Sequence, residues 1–168
     1  YMFNGCTSLV TAPELPATTL AISCYESMFY GCTSLTTAPE LPATALAISC
    51  YVYMFNGCTS LVTAPELPAT TLAVACYCGM FLNCKSLMTA PELPAMKLTN
   101  RCYENMFSSC TKLNYIKCLT TDISASSYTT KWVTNVASTG TFVKAAGMED
   151  WTTGESGIPL GWNVVDDN

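Results

Sequence analysis

The sequence predicts an α/β solenoid, a coil of 26-residue units with a parallel sheet on one face and a C-terminal cap of one helix and strand. One observation is the segment CTSLVTAPELPAT, which begins at Cys6 and recurs almost unchanged from Cys32, Cys58 and Cys84. A second is the Met-Phe pair upstream of it, whose Met stands at positions 2, 28, 54, 80 and 106 without a slip. A third is the loss of this pattern after Cys110. Units of this length cannot bury their own apolar faces and must stack.

Each unit is expected to contain one short strand and one short helix. Pro13 and Pro16 lack the N–H that a strand ladder needs, so the strand is limited to Leu9–Ala12 and its copies. The segment Leu20–Phe29 has neither Pro nor Gly and spaces apolar side chains four residues apart, which is typical of a helix face. The position after it fits a left-handed residue that ends the helix. That position reads Gly5, Gly31, Gly57, Asn83 and Ser109 across the units.

The elements of the cap follow from the segments after the repeats. Residues 122–136 are expected to form a helix, with Asp122 or Ser124 as its N-cap. Residues 140–144 (GTFVK) are expected to extend the parallel sheet by one strand, and residues 162–165 (WNVV) to form a last short strand over the open end.

The domain prediction is a repeat array at 1–118, about four and a half units long, followed by the C-terminal cap at 119–168. The array opens at Tyr1 in mid-unit, without an initiator Met, a signal peptide or a polar N-terminal cap. Because stacked units need capped ends, we expect the rest of a longer polypeptide on the N-terminal side.

Composition argues against several functions. No apolar run reaches the roughly 18 residues of a membrane helix, so no membrane insertion is expected. All seven Lys and Arg lie at or after Lys85, while residues 1–84 hold four Glu and no base, which argues against nucleic acid as a partner. Histidine is absent, and with it the usual general base, metal ligand and activator of a Ser or Cys nucleophile. We therefore expect no enzyme activity, no catalytic residue, no metal and no cofactor.

A family resemblance rests on Phe3, Gly5, Cys6 and Leu9. This F-x-G-C-x-x-L element, its copies and the following Leu-Pro resemble the BspA-type leucine-rich repeats of bacterial surface proteins. The segment GTFVK…GIPLGWNVV resembles the closing segment of such arrays in gut Bacteroidetes and their phages. The resemblance implies a leucine-rich-repeat-like, right-handed coil. It also implies adhesion or recognition, at an extracellular, cell-surface or virion-surface location, without catalytic residues.

One departure from the family concerns the segment A-P-E-L-P. The family more often has L-x-x-I-x-I-P, so the four regular units hold one residue more at this point. The fifth unit, with Leu113, Ile116 and Cys118, fits the family spacing better. We therefore expect a bulge or kink at Pro13-Glu14 and its copies.

The eleven cysteines admit three interpretations. A metal site would use Cys76, Cys78 and Cys84, but it lacks a C-x-x-C pair and a histidine. Disulfides are common in extracellular proteins. Stacked cysteines of one column lie about 4.8 Å apart, which is a poor geometry for a disulfide. Disulfides between the two columns remain possible. Repetition at core-like positions favours buried free thiols. One column is Cys6, Cys32, Cys58, Cys84 and Cys110, and the other is Cys24, Cys50, Cys76 and Cys102.

Candidate binding residues fall into three groups. A threonine column suits glycan or ice binding, or is simply an exposed strand position. A glutamate column is either a solvated ladder or a site for calcium or a cationic partner. The third group varies among Tyr, Asn and Ser at fixed places in the turns, as a recognition surface does. The candidates are Thr11, Thr37, Thr63, Thr89, Glu14, Glu40, Glu66, Glu92, Tyr1, Asn4, Tyr30, Tyr53 and Asn56.

These patterns predict a non-enzymatic, adhesin-type module that binds a protein or glycan through its sheet face and adjoining turns, at a bacterial or phage surface. The alternative is a structural spacer or stalk, including a virion fibre component, with no ligand of its own. Two groups of aromatic residues are expected to pack in the core instead. They are Tyr25, Tyr51, Tyr77 and Tyr103 in the repeats, and Trp132, Trp151 and Trp162 in the cap.

Overall fold

A computed structural model describes residues 1–125 and 127–167. Its strands form one open parallel sheet in the order β1-β2-β3. The strand predicted at GTFVK and its place in the sheet are confirmed, and the last strand begins one residue later and ends two residues later than predicted. The strands are β1 (Tyr115–Cys118), β2 (Thr141–Ala145) and β3 (Asn163–Asp167).

Upstream of β1, single bridges between successive units mark the same sheet position. At this position each bridge is parallel and joins residues that are 26 positions apart in sequence. The predicted strand Leu9–Ala12 is therefore wrong in length, because within this segment and its copies one residue pairs where four were expected. Pro13 follows this residue directly and has no N–H with which to extend the ladder. The pairs are Thr11 with Thr37, Thr37 with Thr63, and Thr89 with Tyr115.

Between two successive bridges to β1, the fourth unit contains one residue more than β1 does. Thr89 pairs with Tyr115, 26 residues later, whereas Leu93 pairs with Cys118, only 25 residues later. One residue of Pro91-Glu92 is therefore left without a partner in β1, which is the arrangement of a β-bulge. The extra residue expected from the A-P-E-L-P spacing is thus confirmed at this copy of the segment.

The described residues contain no helix, so the helix predicted at Leu20–Phe29 and its copies is wrong. The chain there forms a succession of turns. Every second N–H donates to the carbonyl three residues earlier, as from Cys24 to Ala21 at 3.3 Å. The N–H groups between them donate to the next unit, as from Tyr25 to Cys50 at 3.0 Å. We call this element the turn ribbon and define it as residues 21–32, 47–58, 73–84 and 99–110.

Positive φ angles recur every four residues in the turn ribbon. Ser23, Ser27 and Gly31 have φ of 54°, 52° and 69°, which an α-helix does not allow. A ribbon with this repeat places every fourth side chain on the same side, so its apolar pattern matches that of a helix face. The left-handed position predicted from Gly31 is confirmed, and Asn83 and Ser109 adopt it with φ of 62° each.

Two aromatic ladders run through the stacked units. Five Phe rings, from Phe3 to Phe107, stack with centroid distances of 5.5 to 5.7 Å. Four Tyr rings, from Tyr25 to Tyr103, stack at 5.8 to 6.2 Å. Both ladders end on Trp132, which lies 6.1 Å from Tyr103 and from Phe107. The predicted packing role of the repeated Tyr is confirmed, since three of the four are at most 2% exposed.

The turn ribbon continues where a cap helix was expected at 122–136, so that prediction is wrong. Asp122, a predicted helix N-cap like Ser124, instead accepts the N–H of Ser124 at 2.9 Å, which closes a local turn. Trp132 and its neighbours accept the N–H groups of the preceding ribbon, as from Phe107 to Trp132 at 2.8 Å. Positive φ angles of 53° to 56° recur at Ser127, Lys131 and Asn135.

A loop closes the end of this last ribbon. Trp132 donates from Nε1 to the carbonyl of Gly157 at 2.8 Å, and Val133 donates from its N–H to the carbonyl of Glu155 at 3.2 Å. Thr129 donates from Oγ1 to the carbonyl of Ser156 at 2.6 Å. Elsewhere in the stack, the carbonyls of the following unit accept hydrogen bonds from the ribbon before it. At the end of the stack, the carbonyls of this loop take that place.

The three cap tryptophans pack as expected. Trp132 and Trp162 are 0% and 7% exposed, and Trp151 stacks on Trp132 with centroids 5.7 Å apart. The Nε1 of Trp162 donates to the carbonyl of Ala137 at 2.7 Å, which satisfies the polar group of this buried ring.

The division into an array at 1–118 and a cap at 119–168 stays a prediction. The sheet crosses the proposed boundary, since β1 precedes it and β2 follows it. Ser126 and Asn168, which belong to the predicted cap, lie outside the described residues.

Candidate functional site

The proline- and glutamate-containing segments of the four regular units form one trough along the stack. Shallow depressions of about 350, 410 and 470 Å³ lie between successive units, and neighbouring depressions share their walls. The trough is therefore continuous over four units. We call it the Pro-Glu trough and define it as residues 12–16, 38–42, 64–68 and 91–94.

A buried leucine anchors each wall of the trough. Leu15, Leu41 and Leu67 are 8%, 4% and 3% exposed, and the Glu before each of them is exposed. Neighbouring side chains of an extended segment lie on opposite sides of the backbone, so burial of the leucine places the glutamate in solvent. The four predicted Glu candidates are thus held by the core at equivalent surface positions. They are Glu14, Glu40, Glu66 and Glu92.

The threonine candidates border this trough. All four are exposed at the bridged positions of the sheet. Thr63 and Thr89 share a depression of about 280 Å³ with Pro91. The threonine and glutamate candidates, which the sequence separates by three residues in each unit, therefore form one continuous surface. The threonines are Thr11, Thr37, Thr63 and Thr89.

The tyrosine candidates lie on the turn side of the units, and their exposure differs. Tyr1 is 74% exposed, and its hydroxyl donates to Glu26 Oε1 at 3.1 Å. Tyr30 is 43% exposed. Tyr53 is half-buried because its ring lies over Gly79, where a Cβ would come within 2.2 Å of Tyr53 Cε1. Tyr1 and Tyr30 thus offer more of their side chains to a partner than Tyr53 does.

The two asparagine candidates also differ. Asn4 is exposed, whereas Asn56 is 7% exposed and its Oδ1 accepts a hydrogen bond from Asn83 Nδ2 at 3.5 Å. No hydrogen bond or ion pair of the described residues joins the Tyr and Asn candidates to the Thr and Glu candidates. The predicted binding residues therefore divide into a trough group and a turn group.

Charge is uneven along the Pro-Glu trough. Within the described part of the chain, no Lys or Arg pairs with the Glu of the first three units. At the fourth, Lys117 Nζ lies 3.5 Å from Glu92 and 3.0 Å from Asp167. The hydrogen bond to Asp167 and the nearby charge of Glu92 hold the pKa of Lys117 above its ordinary value. The trough is therefore acidic over three units and partly neutralised at the fourth.

The sequence did not lead us to predict that the first cysteine column donates hydrogen bonds to the backbone. The constant spacing of Phe and Cys is a signal for this role. Each of four thiols donates to the carbonyl of a Phe 29 residues earlier, at 3.0 to 3.1 Å, as from Cys58 to Phe29. All eleven cysteines are free, and nine are buried. Burial raises the pKa of Cys58 and of Cys110 to about 12. These thiols stay protonated at neutral pH and are poor nucleophiles.

Two further structural observations concern the described residues, 1–125 and 127–167. No group of three or more Cys, Asp or Glu side chains there is arranged to hold a metal ion. No helix in this part of the chain has the length and apolar character needed to cross a bilayer. Comparison of the chain with protein-family models, with curated proteins and with solved structures found no match.

Proposed function

We propose that the chain is a non-enzymatic binding module, a solenoid of leucine-rich-repeat type that recognises a protein or glycan. The binding surface is the Pro-Glu trough together with the bordering threonines. One observation carries the proposal: each of the four regular units presents an exposed Thr and an exposed Glu at the same places, while the Phe, Cys and Leu of the F-x-x-C-x-x-L element are buried in the second to fourth units. The exposed side chains that repeat are thus distinct from the buried side chains that repeat, and we call the buried set the frame.

The frame supports binding because it orders the surface in advance. Backbone hydrogen bonds join each unit to the next throughout the turn ribbons, and a buried leucine fixes each trough wall. A partner that binds preordered side chains causes little further loss of conformational entropy. Equivalent groups in successive units also let a long partner make several contacts at once, which raises its avidity.

The side chains at this surface support recognition over catalysis. The trough carboxylates are exposed, and the chain has no histidine to serve as their acid–base partner. The resemblance to BspA-type repeats supports an adhesin-type role, which we place at a bacterial or phage surface, outside the cell.

A structural spacer is the second candidate, and the regular ladder between units favours it. Aromatic contacts continue from the first unit to Trp132 without a gap, as a stalk requires. A spacer, however, would place no demand on the side chains that border the trough. The two functions therefore differ in how they respond to substitution at the threonines.

A fluorescently labelled chain, tested on a glycan array and on a displayed peptide library, separates the two functions. We expect at least one bound glycan or peptide, and a loss of at least tenfold in affinity for the double variant Thr37→Tyr with Thr63→Tyr, because bulky rings there obstruct the surface. The matched control is Ile48→Tyr with Val74→Tyr, two exposed positions in the turn ribbons. Absence of any ligand, or equal binding by all three proteins, would favour the spacer.

A further inference from the structure

We propose that the partner of the Pro-Glu trough is an extended protein segment with Lys or Arg at every second residue, lying along the stack. This inference rests on the proposed function, for which it names the class of partner. It stands on the shape of the trough, on its charge, on its apolar walls and on one ion pair within the chain.

The shape of the trough fits an extended chain. Its three depressions share walls, so a single segment can pass through all of them. Paired units lie about 4.8 Å apart, and four glutamates therefore span about 14 Å. In an extended chain, alternate side chains lie on one side about 6.7 Å apart, so three of them span about 13 Å. Three basic side chains of such a segment therefore lie within the length of the row of four glutamates, one for each of the three that have no ion pair among the described residues.

The charge of the trough selects a cationic segment. Glu14, Glu40 and Glu66 are exposed, and no base of the described residues pairs with them. The first 84 residues contain no Lys or Arg at all. A row of one sign of charge attracts a partner of the opposite sign, and repels an acidic glycan or peptide.

The proline walls suit Lys and Arg side chains in particular. Pro13, Pro16 and Pro42 are exposed, and no aromatic ring lines the trough. Apolar walls of this kind can cover the methylene stems of Lys and Arg while the charged ends reach the carboxylates. The two prolines of each wall lack a backbone N–H but keep their carbonyl, which can accept a hydrogen bond from an ammonium or guanidinium group.

One ion pair within the chain joins an ammonium group to a trough carboxylate. Lys117 extends its ammonium to within 3.5 Å of Glu92, the last glutamate of the row. A primary ammonium can therefore reach a trough carboxylate from a neighbouring extended segment, since Lys117 belongs to β1. The other three glutamates stand at equivalent positions, where residues 1–125 and 127–167 provide no such partner, and the external segment would supply it.

The probe for this inference is a fluorescein-labelled seven-residue peptide that alternates Ser and Lys, with three Lys. We expect saturable binding by fluorescence anisotropy at about 0.02 M salt and its loss at about 0.5 M, because salt screens exposed charges. The double variant Glu40→Gln with Glu66→Gln should weaken binding about fivefold, as expected for two exposed ion pairs. Asp150→Asn with Glu155→Gln, exposed and outside the trough, makes the same change in net charge and should alter binding less than twofold.

Two outcomes would overturn the inference. One is absence of binding by the alternating peptide. The other is equal weakening by the trough variant and its control, which would indicate attraction by net charge alone. The proposed function has its own readout: a ligand from the array that is lost in the Thr37 and Thr63 variant would sustain that function even if the Lys peptide failed. Failure of both experiments would overturn both proposals.

Discussion

Replacement of Phe55 by Ala is expected to lower the free energy of unfolding by about 3–5 kcal/mol. Phe55 is 0% exposed, and its ring stacks on Phe29 at 5.6 Å and on Phe81 at 5.7 Å. Truncation removes both ring contacts and leaves a cavity in the middle of the ladder, where the neighbouring units are held by their backbone hydrogen bonds and cannot collapse freely. Urea denaturation of both proteins, followed by tryptophan fluorescence, measures the loss.

The matched control is Tyr30→Ala, which removes an aromatic ring that is 43% exposed and takes no part in the ladders. We expect it to change the free energy of unfolding by less than about 1 kcal/mol. Similar losses in the two variants would contradict the assignment of the phenylalanine ladder to the core.

Replacement of Gly140 by Ala is expected to cost about 3 kcal/mol, because the added methyl group has no space. A Cβ there would lie 2.4 Å from the carbonyl oxygen of Asn114 and 2.8 Å from Trp162 Cε2. The same backbone joins the strands: Thr141 donates its N–H to Asn114 at 2.8 Å, and Gly140 accepts the N–H of Asn163 at 2.8 Å. Ala would therefore push β2 away from β1 and β3. Urea denaturation again measures the change.

Gly147→Ala serves as the control for this substitution. Gly147 has φ of 74° and nothing within 4 Å of its added Cβ, so only the left-handed backbone opposes Ala, at about 1–2 kcal/mol. A larger loss for Gly147→Ala than for Gly140→Ala would show that close packing between the strands does not govern the cap.

The repeat period accounts for what the sequence could predict. A period without slips places equivalent residues above one another, so the sheet position of Thr11, the stacked Tyr side chains and the left-handed Gly31 position all follow from one register. The extra residue at Pro91-Glu92 was predictable for the same reason, because the fifth unit lacks it. These features depend on sequence spacing alone.

The turn ribbon could not be predicted because its apolar repeat of four residues coincides with that of a helix face. The positions that distinguish the two are Ser23 and Ser27, which have positive φ although serine carries no strong preference for it. The trough was missed for a different reason. The Thr and Glu candidates were identified residue by residue, but the depressions exist only between stacked units. The burial of Asn56 likewise depends on its neighbours in the stack.

Far-UV circular dichroism tests most directly whether turn ribbons, and not helices, join the sheet positions of successive units. We expect a spectrum without the double minimum of α-helix, because the described residues contain strands and turns only. A helical spectrum, with the content that one helix in each 26-residue unit would give, would contradict the turn ribbon and the stacking that depends on it.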